Sequence, residues 1–277
     1  VNVIPDNWPM ALHLAQGSLH AVQTPFAYAG YRLLEGMNGK NVNKAMPQGS
    51  VLCTGHYVDQ EFLDHLKEDC QARIDRRAGN AALRVLASVG GAGAQKDYLV
   101  QLLDLLAPEL RSGKIVLWIN AGDHAGVRDA IVAAMKARGL ALHSYAQGEE
   151  AKAFDPEKAG HSVFYSPDIF EAVYQTNILM RSCDLLLTKP SELAYYPVPK
   201  LFIKRIGGHE AYGAIHSVEL GDGTPERKLP QDAARDLRLM LADGEYLELM
   251  NHRILAEYAA GTYDGARRVI QLFEQDN

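Results

Sequence analysis

Residues 83–226 alternate short β-rich runs with amphipathic helices, and this alternation limits the fold more than any other feature of the chain. Strand, helix and strand in succession close as a parallel unit, so the repetition implies a Rossmann-like α/β sheet with helices on both faces. Residues 83–89 (LRVLASV) read as a strand running into the turn Gly90-Gly91-Ala92-Gly93. The following helix, 96–110, carries Leu99, Leu102, Leu103, Leu106 and Leu110 on one face. Strands are then read at 114–120 (KIVLWIN), 140–145 and 162–165 (SVFY), with an Ala-rich helix within 122–139. Pro167-Asp168 opens a helix over 169–181. A buried-type strand at 184–188 (DLLLT) and a strand at 200–206 (KLFIKRI) follow, then a helix over 211–220. After Glu226 the pattern is helical to the end.

A smaller unit precedes this array. Residues 19–24 and 51–54 read as strands flanking a helix from Pro25 to about residue 37, and 38–50 is a polar, Gly/Asn-rich loop. A charged helix over 59–77 leads to the linker Ala78-Gly79-Asn80. The expected division is therefore 1–60, the remnant of an N-terminal α/β lobe; 61–82, a crossover helix and linker; 83–225, the Rossmann-like domain; and 226–277, C-terminal helices.

Composition narrows the function classes. With 47% hydrophobic and 22% charged residues, the chain is an ordinary globular one, neither disordered nor coiled coil. A net charge of −6 argues against nucleic acid held by a basic surface. No apolar run approaches the roughly 18 residues of a membrane span. Three scattered cysteines (Cys53, Cys70 and Cys183) point to a reducing compartment and a cytoplasmic location. No Cys/His set has metal-ligand spacing, so no metal is expected.

Three strand-to-helix turns carry the candidate chemistry. In Val89-Gly90-Gly91-Ala92-Gly93-Ala94-Gln95-Lys96, glycines let backbone N–H groups approach an anion at a helix N-terminus, which suits a diphosphate. A tight turn before a closely packed helix fits the same residues. In Thr188-Lys189-Pro190-Ser191-Glu192, Pro190 suits the first position of a helix, Lys189 a phosphate, and Glu192 ribose hydroxyls. The alternative is a capped helix start with a surface lysine. Gly207-Gly208-His209-Glu210 would face the same crevice, because ligands of parallel sheets bind at the strand C-termini. His56 could act as a base, although an isolated histidine in a boundary segment is usually structural. Asp123-His124 could do no more than cap a helix. Asp6-Asn7-Trp8-Pro9 reads as a packed turn, and Leu247, Met250, Ile254 and Tyr258 as helical core.

Taken in order, these turns resemble the nucleotide-sugar-binding C-terminal domain of GT-B glycosyltransferases. The likeness is to the group that contains monogalactosyldiacylglycerol synthase and the N-acetylglucosaminyl transferase of peptidoglycan synthesis. That group has a glycine-rich loop after the first strand, a strand ending D-L-x-x-[ST]-[KR]-x-G-G, then S-E-A, a further strand, a P-G-Q-E-like turn and G-x-G. This sequence has Val89 to Gln95, Asp184 to Pro190, Ser191-Glu192-Leu193-Ala194, Lys200 to Ile206, Gly208-His209-Glu210 and Gly221-Asp222-Gly223. The resemblance implies that Gly90, Gly91, Ala92, Gly93 and Gln95 hold the diphosphate. It likewise implies that Lys189, Ser191 and Glu192 hold the nucleotide and that Gly208, His209 and Glu210 approach the sugar. Gln23-Thr24-Pro25-Phe26 and 51–58 (VLCTGHYV) match the close of the acceptor-side lobe. The family's G-G-x-T between Lys189 and the S-E is missing here, and no catalytic base carries over.

The resemblance thus implies a glycosyltransferase-like protein that takes a nucleotide-diphosphate sugar, a UDP-sugar first, and passes the sugar to an acceptor, with no further cofactor. The alternatives are a nucleotide-sugar epimerase of the same architecture and a non-catalytic nucleotide-binding or interaction module. Two full lobes and a helical tail need about 300 or more residues. The chain is therefore expected to be the later part of a longer protein. Its missing lobe would supply the acceptor site, any peripheral membrane contact and the base.

Overall fold

The structure, a computed structural model, describes residues 1–10, 13–34, 45–89, 95–146 and 154–275. Two parallel sheets organise them. In the N-terminal lobe, β1 (Asn2–Ile4), β2 (His20–Val22) and β3 (Val51–Cys53) pair in that order. His20 stands between Asn2 and Val51 in register. Helix α1 (Pro25–Leu33) starts where Thr24 accepts a hydrogen bond from the Ala27 amide and Pro25 presets the first turn. It ends at Leu34, whose φ of 55° breaks the helix several residues before the expected end. Ile4, Val22, Ala27, Tyr31 and Val51 form the lobe's small core. No expectation from the sequence covers β1, which precedes the turn read at Asp6-Asn7-Trp8-Pro9.

Helix α2 (Gln60–Ala78) crosses to the second lobe. Arg73, fully buried, donates to the carbonyls of Cys183 (2.9 Å) and Met180 (3.0 Å), and Arg76 pairs with Asp184 at 2.8 Å. The second sheet contains β4 (Leu83–Ser88), β5 (Ile115–Asn120), β6 (Leu142–Tyr145), β7 (His161–Phe164), β8 (Leu185–Thr188) and β9 (Lys200–Phe202). Its order is β6-β7-β5-β4-β8-β9, with every pair parallel. This is the α/β architecture that the alternation implies.

Strand periodicity divides the core between the two faces. Val85, Ala87, Ile115, Leu117, Leu185 and Leu187 face one way, toward α3 (Lys96–Leu105), α5 (Ala125–Ala137) and α8 (Pro230–Ala242). Leu86, Trp118 and Leu186 face the other way, toward α2, α6 (Ile169–Ser182) and α9 (Glu245–Ala259). The expected helix over 96–110 is two, because Pro108 cannot donate its amide; α4 (Ala107–Arg111) is the second piece. The last helices are α7 (Ala211–Leu220) and α10 (Gly265–Gln275).

α10 packs back on the crossover between the lobes. The Gly265 amide donates to the His56 carbonyl at 3.0 Å, and Arg268 Nη1 donates to the Thr54 carbonyl at 2.9 Å. A Cβ on Gly265 would collide with the Gly55 and His56 carbonyl oxygens, so only glycine permits this approach. No helix among the described residues is long and apolar enough to cross a membrane.

Candidate functional site

The strand order reverses between β4 and β8, since the chain leaves β4 toward β5 on one side and returns on the other as β8 and β9. Loops leaving the C-terminal ends of these two strands diverge, and the crevice they leave is where ligands of such sheets bind. Gly90, Gly91, Ala92 and Gly93, the expected diphosphate loop, lie outside the described residues. Gln95, where the description resumes, is buried and donates its side-chain amide to the Lys204 carbonyl, tying the start of α3 to the segment after β9.

A cavity of about 320 Å³ opens at this reversal. Ser88, Val89 and Asn120 form its floor at the ends of β4 and β5, while Ile169 and Val173 of α6 form an apolar wall. Asp123, His124 and Glu192 also line it. Asn120 occupies the strand end where a ribose-binding acid would stand, and its side chain is fully used within the fold. It donates to the Ala172 carbonyl (2.9 Å) and to Thr176 Oγ1 (2.7 Å) and accepts from the Gly122 amide (2.9 Å).

After β8, Pro190 does not open an α-helix; residues Glu192–Tyr195 form a single 3₁₀ turn. The turn places Glu192, exposed, both on the cavity and on a notch of about 30 Å³ between the lobes. Ser191, His209 and Glu210 line that notch, facing Pro5, Asp6 and Asn7 of the N-terminal lobe. Two of the three expected turns thus meet at the lobe boundary. The sequence reading had assigned no such role to Asp6 and Asn7, whose signal was only the compact Asp-Asn-Trp-Pro turn.

Not every expected residue is free there. Lys189 forms an ion pair with Glu210, and Glu210 also accepts the amides of Ile206 (2.7 Å) and Gly207 (3.1 Å). Burial by itself would raise the Glu210 carboxyl. The Lys189 ammonium and the two amides outweigh it and hold the group below its ordinary value. Glu210 is therefore a brace for the turn after β9, and its carboxylate is spent inside the fold. His209 is exposed, its ring against Gly207, where a Cβ would collide with it; Gly208 has open space beside it.

The lobes are held together next to the notch. Tyr212 stacks on Trp8 at 4.6 Å and on Phe26 at 4.7 Å, so an α7 ring joins two aromatic rings of the first lobe. His56 is not in the crevice. It is buried and bonded to the Tyr195 carbonyl and to His216. Lys200 and Asp222 pair at 2.7 Å with no exposure and serve the core. Among the described residues, no group of three or more His, Cys, Asp or Glu could hold a metal ion.

The fold has solved relatives at low identity. UDP-GlcNAc 2-epimerase from Neisseria meningitidis, bound to UDP-GlcNAc, matches 93% of this chain and 62% of its own with a TM-score of 0.56 at 11% identity. A putative UDP-N-acetylglucosamine 2-epimerase from Listeria monocytogenes matches 93% of this chain and 59% of its own, with a TM-score of 0.51 at 14% identity. Trehalose-6-phosphate synthase OtsA matches 99% and 66%, with a TM-score of 0.50 at 10% identity. At these identities the likeness shows a shared GT-B-type fold. The chain spans about three fifths of the length of the two epimerases. No curated protein sequence matches it. Residues 1–33 match the model of a domain of unknown function (DUF6937), and residues 46–274 match that of a second such domain (DUF6938). The chain belongs to the DUF6938 family.

Proposed function

We propose that this protein binds a nucleotide-diphosphate sugar, a UDP-sugar first, and transfers the sugar to an acceptor. The carrying observation is the position of Glu192, which borders both the 320 Å³ cavity at the strand-order reversal and the inter-lobe notch. In this reading the nucleoside fills the cavity and Glu192 accepts hydrogen bonds from its ribose hydroxyls. The diphosphate lies toward the amino end of α3, with Gln95 fixing where that end sits. The sugar lies at the mouth of the notch, toward Ser191 and His209. Backbone amides and the helix dipole stabilise the departing diphosphate without a metal. Lys189 adds its charge to the diphosphate by exchanging Glu210 for it. The 2-epimerase from N. meningitidis is a UDP-GlcNAc-bound relative in fold, which supports the donor class.

A second reading, epimerisation of a nucleotide sugar, has one observation in its favour. Asp6 from the first lobe faces Glu192 and His209 from the second across the notch, an arrangement with titratable groups on two sides of a sugar. Incubation with UDP-sugars separates the two. Transfer or hydrolysis releases free UDP, whereas epimerisation yields a new sugar nucleotide. If no nucleotide diphosphate raises the unfolding temperature, both readings fail and a non-catalytic interaction module remains. A true ligand at 100 times its Kd stabilises by about 2.7 kcal/mol.

A further inference from the structure

The polar side chains around the 320 Å³ cavity fall into two sets. Asn120 is bonded to Ala172, Thr176 and Gly122, and Thr176 Oγ1 also donates to the Ala172 carbonyl at 3.1 Å. Asn177 donates to Asp59 at 3.1 Å, and the Tyr196 hydroxyl donates to the same carboxylate oxygen at 2.8 Å. These groups hold the fold and have little left for a ligand. Asp123, His124 and Glu192 differ. His124 Nε2 is buried without a hydrogen bond, and Asp123 Oδ1 stands 3.5 Å from it; the Asp123 side chain is 40% exposed. The loop that presents both residues turns at Gly122, whose φ of 61° is a left-handed conformation that favours glycine.

Ile169 and Val173 line the same cavity and remain 48% and 53% exposed. A cavity lined by apolar side chains and by a carboxylate next to an imidazole suits a flat heteroaromatic ring with a polar edge. Resting on the proposed nucleotide site, we infer that Asp123 and His124 read the edge of the base. The Asp123 carboxylate accepts a ring N–H, and His124, whose enclosed Nε2 stands 3.5 Å from that carboxylate, holds it in place. That pattern takes bases with a ring N–H beside a carbonyl, namely uracil, thymine and guanine. It rejects cytosine and adenine, whose corresponding ring nitrogen carries a lone pair that would face the carboxylate.

Calorimetric titration of UDP and CDP into the wild type and into Asp123→Ala tests this, because the two ligands differ only at the base edge. The wild type is expected to bind UDP at least about tenfold more tightly than CDP. Asp123→Ala should weaken UDP about tenfold and, by removing the repulsion, leave CDP bound at least as tightly, so that the preference collapses. His124→Ala should weaken UDP as well, and unfolding temperatures close to wild type should show that both variants fold. UDP and CDP binding equally to the wild type, or an unchanged preference in Asp123→Ala, overturns the base assignment while the nucleotide site stands. Failure of every nucleoside diphosphate to bind overturns both.

Discussion

The imidazoles of His56 and His216 meet Nε2 to Nε2 at 2.8 Å. His56 Nδ1 lies 2.9 Å from the Tyr195 carbonyl, so that nitrogen carries the hydrogen and donates it. His56 Nε2 is then an acceptor, and His216 Nε2 must be the donor. Burial chiefly keeps both rings neutral. It pushes His56 well below the usual histidine value, with His216 adding to the effect, and brings His216 down to about 4, with Lys200 contributing next. The pair joins the crossover segment to α7, and so ties the route between the lobes to the wall of the notch.

Stability should therefore fall as acid is added. An unfolded histidine titrates near 6.5, so below that pH the unfolded chain takes up protons that the folded chain refuses. The loss begins as pH drops through about 6.5, and the His216 share of it levels off near 4, where His216 can charge within the fold. At pH 5 the His216 share is about 2 kcal/mol. Thermal unfolding at pH 7 and pH 5 should show a drop in the wild type and a smaller one in His216→Asn. An equal drop in the variant would remove this histidine from the account.

Gly265→Ala should destabilise the protein by about 1–3 kcal/mol, the usual cost of forcing an extra group into a packed contact. The added Cβ meets the Gly55 and His56 carbonyl oxygens, so either α10 or the crossover must move. Denaturant unfolding measures this, and a variant as stable as wild type would show that the contact is loose.

Lys189 and Glu210 should be coupled. Replacing either by alanine leaves a charged partner, part-buried or buried, without its counter-ion, whereas replacing both removes the problem along with the bond. The double variant should be destabilised by at least about 1 kcal/mol less than the sum of the single variants. Additive losses in a denaturant-unfolding cycle would mean that the ion pair does not form in solution.

Much of the second lobe was legible because its strands are buried and its helices amphipathic. Residues 83–88 and 115–120 form strands within one residue of the reading, and 211–220 is the expected helix. β1 escaped because three residues before a proline are too few to display a period. The helix over 96–110 broke at Leu106, since the leucine spacing continues across Pro108 while the amide ladder cannot. Ser191, Glu192, His209 and Glu210 were expected on one crevice and line one notch. What each side chain does there depends on its partner. Glu210 reads as a sugar-facing residue in a Gly-Gly-His-Glu turn until Lys189, 21 residues earlier, is seen to hold it. The His56–His216 bond spans 160 residues, and no local pattern announces it. Asp123 and His124 read as no more than a cap until Ile169 and Val173 of α6 are found lining the same cavity.

Glu192 tests the central claim most directly, because it is exposed and makes no hydrogen bond that folding needs. Its replacement by alanine should change stability by no more than about 0.5 kcal/mol. Isothermal titration of UDP into the wild type should show saturable binding at one site, weakened about tenfold in Glu192→Ala by loss of the charged acceptor for the ribose hydroxyls. No binding of UDP to the wild type, or equal affinity in the variant, would contradict the account.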